Sequence, residues 1–186
     1  MIHNATIEDA AAMVESGRRA HLANTDSKVT IQLVVGRDEE IARWVRHQLP
    51  EHPDFGPCTA IGVTEDNRLI AGAVYHNFHD HQGHKFVEVS VIATEPRCCN
   101  RRVLRALFRY PFEQLRVRRL QTTVAKRNKR ARRLVMRLGF RYEGTGREAW
   151  FSGGDACIYS MLPQECGWLK ENNIGKVFES ERAGAC

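Results

Sequence analysis

The chain has 186 residues, a formal net charge of +6 and six cysteines. That length is enough for one domain with a core of its own, and no apolar run approaches the roughly 18 residues that a membrane-spanning helix needs. The cysteines include no CxxC pair, so reduced thiols in a cytoplasmic setting are expected, with neither a disulfide framework nor a zinc site. Glu8, Asp9 and Glu15 among the first small residues do not make the basic-then-apolar pattern of a secretory leader.

In chain order, residues 1–6 read as a short strand, and Thr6 with Glu8 and Asp9 opens a helix through about Leu22. Residues 31–35 are apolar enough for a strand. Residues 39–49 then place Ile41, Trp44, Val45 and Leu49 on one helical face. Residues 58–63 and 69–76 form a hairpin around Glu65-Asp66-Asn67, and the polar stretch 77–84 is expected as a turn before a strand over 86–93. That polar stretch and its flank hold His76, His79, His81 and His84 with Asp80. Their spacing fits no standard zinc site and suits a solvated turn, one histidine of which could line a substrate groove.

Next comes a basic turn, Arg97-Cys98-Cys99-Asn100-Arg101-Arg102, leading into a helix with Val103, Leu104, Leu107, Phe108 and Phe112 on one face. Two cysteines among arginines at a helix start are expected to have depressed thiol pKa values. Residues 120–125 alternate like a strand with one buried face. Asn128 is a suitable N-cap for a helix carrying Ala131, Leu134, Val135 and Leu138 in one stripe, which Gly139 stops. Residues 149–151 and 156–162 are expected to pair around Gly153-Gly154, with a short helix near Trp168 after them. One domain over 1–170 and a tail over 171–186 complete the expectation.

Charge is concentrated. Residues 97–141 hold sixteen Lys or Arg and one acid, Glu113. A strand feeding a turn at a helix N-terminus is a place to hold an anionic cofactor, and the excess of cations leaves a nucleic acid open as a further partner, though not the favoured one. Phe108, Tyr110 and Phe112 fall in an apolar pattern that reads as core, which argues against a base-stacking platform.

The order of these elements and the run from Asn128 to Gly139-Phe140 resemble the GNAT superfamily of acyl-CoA-dependent N-acetyltransferases. Tyr142-Glu143-Gly144, Arg147 and Gly154-Asp155 resemble its ribosomal-protein N-terminal acetyltransferase branch, and residues 107–115 resemble phage and prophage members of it. The resemblance implies an α/β fold, with a mixed and mostly antiparallel sheet splayed between the strands 86–93 and 119–125 and helices on both faces. It implies acetyl transfer from acetyl-CoA to a primary amine of a small molecule or protein, by direct attack in a ternary complex, without a metal or a membrane; a homodimer is compatible with it. A non-catalytic CoA- or polyanion-binding protein of this fold, or an enzyme modifying DNA, stays open as an alternative.

The same resemblance assigns cofactor binding to Ile92, Ala93, Arg97, Cys98, Cys99, Asn100, Arg101, Arg102 and Asn128. The family turn runs Arg/Gln-x-x-Gly-x-Gly/Ala. Here Asn100 replaces the first glycine, in a left-handed conformation that Asn tolerates best, and Arg102 stands where glycine or alanine is usual. Glu88, flanked by Val87 and Val89, is expected to be the base, its pKa raised by apolar neighbours. Ser90, two residues on, would hold the amine or a water. The tyrosine that the family often places after Asn128 as proton donor is Val135 here. Tyr142 and Tyr159 are substitutes by proximity alone, so the general acid is unassigned.

Overall fold

The computed structural model describes residues 30–49, 51 and 53–170; the expected N-terminal strand and helix and the tail over 171–186 lie outside them. Seven strands form one sheet: β1 (Ile31–Val34), β2 (Thr59–Glu65), β3 (Arg68–His81), β4 (His84–Ala93), β5 (Arg119–Ala125), β6 (Arg141–Gly146) and β7 (Ala156–Met161), in the order β1-β2-β3-β4-β5-β7-β6. Among the described residues three α-helices join them: α1 (Asp38–Gln48), α2 (Arg101–Arg109) and α3 (Lys129–Leu138). Every neighbouring pair is antiparallel except β4 and β5. These run parallel for three positions only, from Phe86↔Arg119 to Glu88↔Gln121, and then part. The expected splay is present. Among the described residues no helix is long and apolar enough to cross a membrane.

Alternation decides which face each residue serves. Ile61, Ala73, Val87, Val89, Leu120 and Val124 face the α2 and α3 side, where they pack with Phe108, Phe112, Phe140 and Tyr159. Ala60 and Val74 face the other side and pack against Ile41 and Val45 of α1. α1 sits close because Gly62 and Gly72 are directly paired beneath it. A Cβ on Gly72 would lie 2.6 Å from Val45 Cγ2, and one on Gly62 would lie 3.2 Å from Ile41.

α2 gives way to a wider turn over Tyr110–Gln114, where the Leu115 N–H donates to Tyr110 O at 3.0 Å. The cause is Pro111, which has no N–H to return to the carbonyl four residues back. That carbonyl, of Leu107, accepts instead from the Tyr75 hydroxyl at 2.6 Å. Burial at 3% exposure, with Tyr110 beside it, pushes the Tyr75 hydroxyl pKa up, so it stays a donor. Tyr75→Phe should therefore leave a buried carbonyl unpaired and cost about 1–3 kcal/mol; denaturant titration with an unchanged m-value would show it, and a loss below ~0.5 kcal/mol would refute the pairing argument.

Three expectations need correcting. Residues 77–84 are not a turn: β3 and β4 stay paired to His81↔His84, closing on Gln82 (φ 51°) and Gly83 (φ 83°). Two consecutive left-handed residues are what a tight hairpin demands. The partner of β7 is β6, over Arg141–Gly146, and not residues 149–151, which belong to a turn. Among the described residues near Trp168 there is no helix beyond the 3-10 turn Pro163–Glu165; the indole stacks on Phe108 and donates to Leu138 O at 2.7 Å.

Candidate active site

The splay opens at the C-terminal ends of β4 and β5, and α2 and α3 both begin there. Neither helix has an acid in its first turn. Acids are favoured at that position and cations disfavoured, because the N-terminus carries partial positive charge. Arg101, Arg102, Lys129 and Arg130 stand there nonetheless, an arrangement that an anion between the two helix starts would relieve. Beyond Glu88, the edge of β4 toward β5 has no strand partner among the described residues. It offers backbone donors and acceptors to any extended chain with amides of its own. Val91 and Leu134, 48% and 44% exposed, add apolar surface on the α2 and α3 side.

The residues assigned to the turn hold different places from those expected. Asn100 is extended (φ −79°, ψ 161°), not left-handed, and its side-chain oxygen accepts from Val103 N at 3.0 Å. It caps α2 because the first free N–H groups of a helix need acceptors. Asn128 caps α3 in the same way, accepting from Ala131 N at 3.0 Å, and Gly139 ends that helix at φ 104°. Arg97 pairs with Glu65 at 2.6 Å, a carboxylate that is 8% exposed, so this arginine is committed to the fold. Cys98 is buried and donates to Glu95 O, and burial with Cys99 beside it pushes its pKa up to about 12. The expected depressed pKa is thus overturned for Cys98. Burial outweighs the backbone hydrogen bonds that favour the thiolate. Cys99, Arg101 and Arg102 are exposed; Ala93 is exposed as well, while Ile92 packs toward α1 and presents only its backbone.

On the α1 face of the sheet, a polar band crosses the splay. The Glu88 carboxylate accepts from Asn77 Nδ2 at 2.8 Å and from Gln121 Nε2. Gln121 accepts from Arg119, which clasps Glu143. Ser160 donates to the same Glu143 at 2.6 Å, and these contacts, Arg119 foremost, hold the Glu143 carboxyl down at about 2. Apolar neighbours do not surround Glu88. Val87 and Val89, its neighbours in the chain, point to the opposite face, while Glu88 sits at the splay. Ser90 is the next residue on the Glu88 side and meets His76 Nε2 at 3.0 Å.

Tyr159 is fully buried, its hydroxyl accepting from Arg132 Nε at 2.9 Å, and Tyr142 shares its hydroxyl with Thr145 at 2.7 Å. The four histidines do not assemble a metal site, and no cluster that could hold a metal occurs among the described residues. Of the four histidines, one of which was expected to line a substrate groove, His76 is the one beside Glu88. It lies opposite Glu88 across the β3–β4 ladder, just before a break in register.

A sheet splayed between two parallel strands, with helix starts at its mouth, defines a class of acyltransferase fold. The chain matches the GNAT acetyltransferase domain family over residues 5–157, and it belongs to that family. Among solved structures, it is similar to the spermidine/spermine N-acetyltransferase SpeG of Vibrio cholerae, in a mutant form, at a TM-score of 0.59 and 16% identity, covering 73% of this chain and 96% of that one. It is also similar to the ribosomal-protein-S5-alanine acetyltransferase of Vibrio fischeri at a TM-score of 0.57 and 14% identity, covering 78% and 99%. At such identities the likeness concerns the fold. No curated protein matches the sequence.

Proposed function

We propose that the protein is an acetyl-CoA-dependent N-acetyltransferase that acts on a primary amine by direct attack in a ternary complex. The observation that carries this reading is the parallel pairing of β4 and β5 that ends at Glu88↔Gln121, with acid-free helix starts on one side of the gap and the Glu88–Ser90 polar pair on the other. Acetyl-CoA, when bound, supplies an activated thioester carbonyl. The starts of α2 and α3, with Cys99, Asn100, Arg101, Arg102 and Asn128, would hold its phosphates, and the free edge of β4 at Ile92 and Ala93 would hold its amide-bearing arm. Arg97 and Cys98 shape the turn from beneath. Glu88 supplies the negative charge that draws an ammonium to the gap, and Ser90 positions the nitrogen.

Mass spectrometry of the purified protein for bound CoA, followed by thiol release measured over amines and peptides, tests this reading. Arg101→Glu with Arg102→Glu should weaken acetyl-CoA binding by about tenfold or more, since a charge-assisted contact is worth ~1.5–3 kcal/mol, with the circular dichroism spectrum unchanged. Arg97 is the wrong residue to reverse, because Glu65 would lose its partner. No calorimetric signal with acetyl-CoA at high micromolar concentration would end the assignment.

A further inference from the structure

Glu88 is poorly placed to accept a proton itself. Both of its oxygens already accept from amide nitrogens, those of Asn77 and Gln121. The Gln121 amide is held in that orientation because its oxygen accepts from Arg119 Nη2 at 2.8 Å. A proton arriving on Oε1 would face the Gln121 N–H, which Arg119 holds in place. The neighbouring imidazole is arranged differently. His76 Nδ1 faces Glu88 Oε2 at 3.9 Å, close enough for charge attraction but too long for a hydrogen bond, while Nε2 lies 3.0 Å from Ser90 Oγ. The side chain is 13% exposed, and its outer face is covered by the Phe55 ring at 5.1 Å.

This placement is built by a defect in the ladder. In the outer part of the hairpin the register is His79↔Phe86, Asp80↔Lys85 and His81↔His84, which if continued would set Glu88 opposite Asn77. A bulge between His76 and His79, with Asn77 left-handed at φ 49°, shifts the register so that His76 faces Glu88. Bulges commonly re-aim side chains beside active sites. Here the result brings His76 and Asn77, consecutive in sequence, onto one carboxylate.

Resting on the N-acetyltransferase reading above, we propose that His76 is the proton acceptor for the substrate ammonium, working through Ser90, with Glu88 as the carboxylate that balances the resulting imidazolium. Ser90 Oγ–H donates to neutral His76 Nε2, which leaves an oxygen lone pair to receive a proton from the ammonium nitrogen. As that N–H bond breaks, the Ser90 proton passes to Nε2 and the nitrogen keeps its electron pair. No oxidant or further reactant enters, and the imidazolium later returns its proton to water. His76 acts through Ser90 and does not itself touch the amine.

The charge environment suits the role. Burial lowers the His76 pKa below its ordinary value of 6.5, while Glu88 opposes that effect. Glu88 from β4 is the charged group facing the ring among the described residues; Asn77, Ser90 and Phe55 supply the other contacts. His76 is therefore neutral, and competent to accept, at neutral pH. Competence is lost as pH falls through its depressed pKa.

The test couples NMR titration of the His76 imidazole in the free, full-length protein to the pH profile of kcat/KM for acetyl transfer. Expected are a His76 pKa below 6.5, an acid limb in the profile at that same value, and loss of the limb in His76→Gln, with kcat/KM down about 10²-fold or more and acetyl-CoA affinity retained. Ser90→Ala, a smaller change, should lower the rate comparably and shift the His76 titration. Imidazole in the buffer should restore part of the activity of His76→Ala. Transfer that proceeds normally in Ser90→Ala, or an acid limb that survives in His76→Gln, would overturn the relay and leave the N-acetyltransferase reading standing. Absence of transfer by the unmodified protein over all amines tried would overturn both.

Discussion

Glu88→Gln should lower kcat/KM for acetyl transfer by about 10²–10⁴-fold, the usual weight of a group that assists proton transfer, while acetyl-CoA affinity stays within a few-fold. The substitution removes the negative charge 3.9 Å from His76. It also places an amide nitrogen against one of the two amide donors, Asn77 or Gln121, while the remaining oxygen can accept from the other. The charge and part of the hydrogen-bond pattern are lost together, at a side chain that is 22% exposed. Steady-state kinetics from about pH 6 to 9 would read the effect. Turnover within a few-fold of the parent throughout that range would return Glu88 to a purely structural role.

Gly72→Val is expected to have the largest effect on stability. The added Cβ alone would come within 2.6 Å of Val45 Cγ2 and 3.2 Å of Ile41 Cγ2, and Val45 and Ile41 are 0% and 1% exposed with no room to retreat. Overpacking of this kind costs about 1–3 kcal/mol, and more when the helix must lift. Thermal and urea unfolding should both show the loss. Gly144 is the control, since a Cβ there meets nothing within 4 Å; Gly144→Ala should stay within ~0.5 kcal/mol. If the two substitutions proved equally mild, α1 would not be seated on the Gly62↔Gly72 pair as described.

What could be read beforehand was local in its physics. Asn128 and Gly139 mark the ends of α3 because a cap and a left-handed stop are chosen by the residue itself. The hairpin at Asp66-Asn67, with φ of 47° and 64°, is of the same kind. Strand alternation found the core face of β5. It also misled, since Val87 and Val89 are neighbours of Glu88 in the chain yet lie on the other side of the sheet, so sequence proximity said nothing about its surroundings. Asn100 kept its place in the turn but took the extended conformation of a cap, because satisfying Val103 N outweighed any need for a left-handed residue there.

By itself, then, the sequence determined the family, the mixed sheet with its splay, the two capped helices and the strand that carries Glu88 and Ser90. Only the tertiary structure decided what those residues meet. The burial of Cys98 depends on Val63, Ile70 and Ala71 closing over it from β2 and β3. The commitment of Arg97 depends on Glu65, 32 positions away. Above all, the meeting of His76 with Glu88 rests on a one-residue shift in the register of β3 against β4. Pairing register is set by the sum of packing on both faces and not by any one residue, so a bulge of this kind leaves no mark in the chain that composition or periodicity can find.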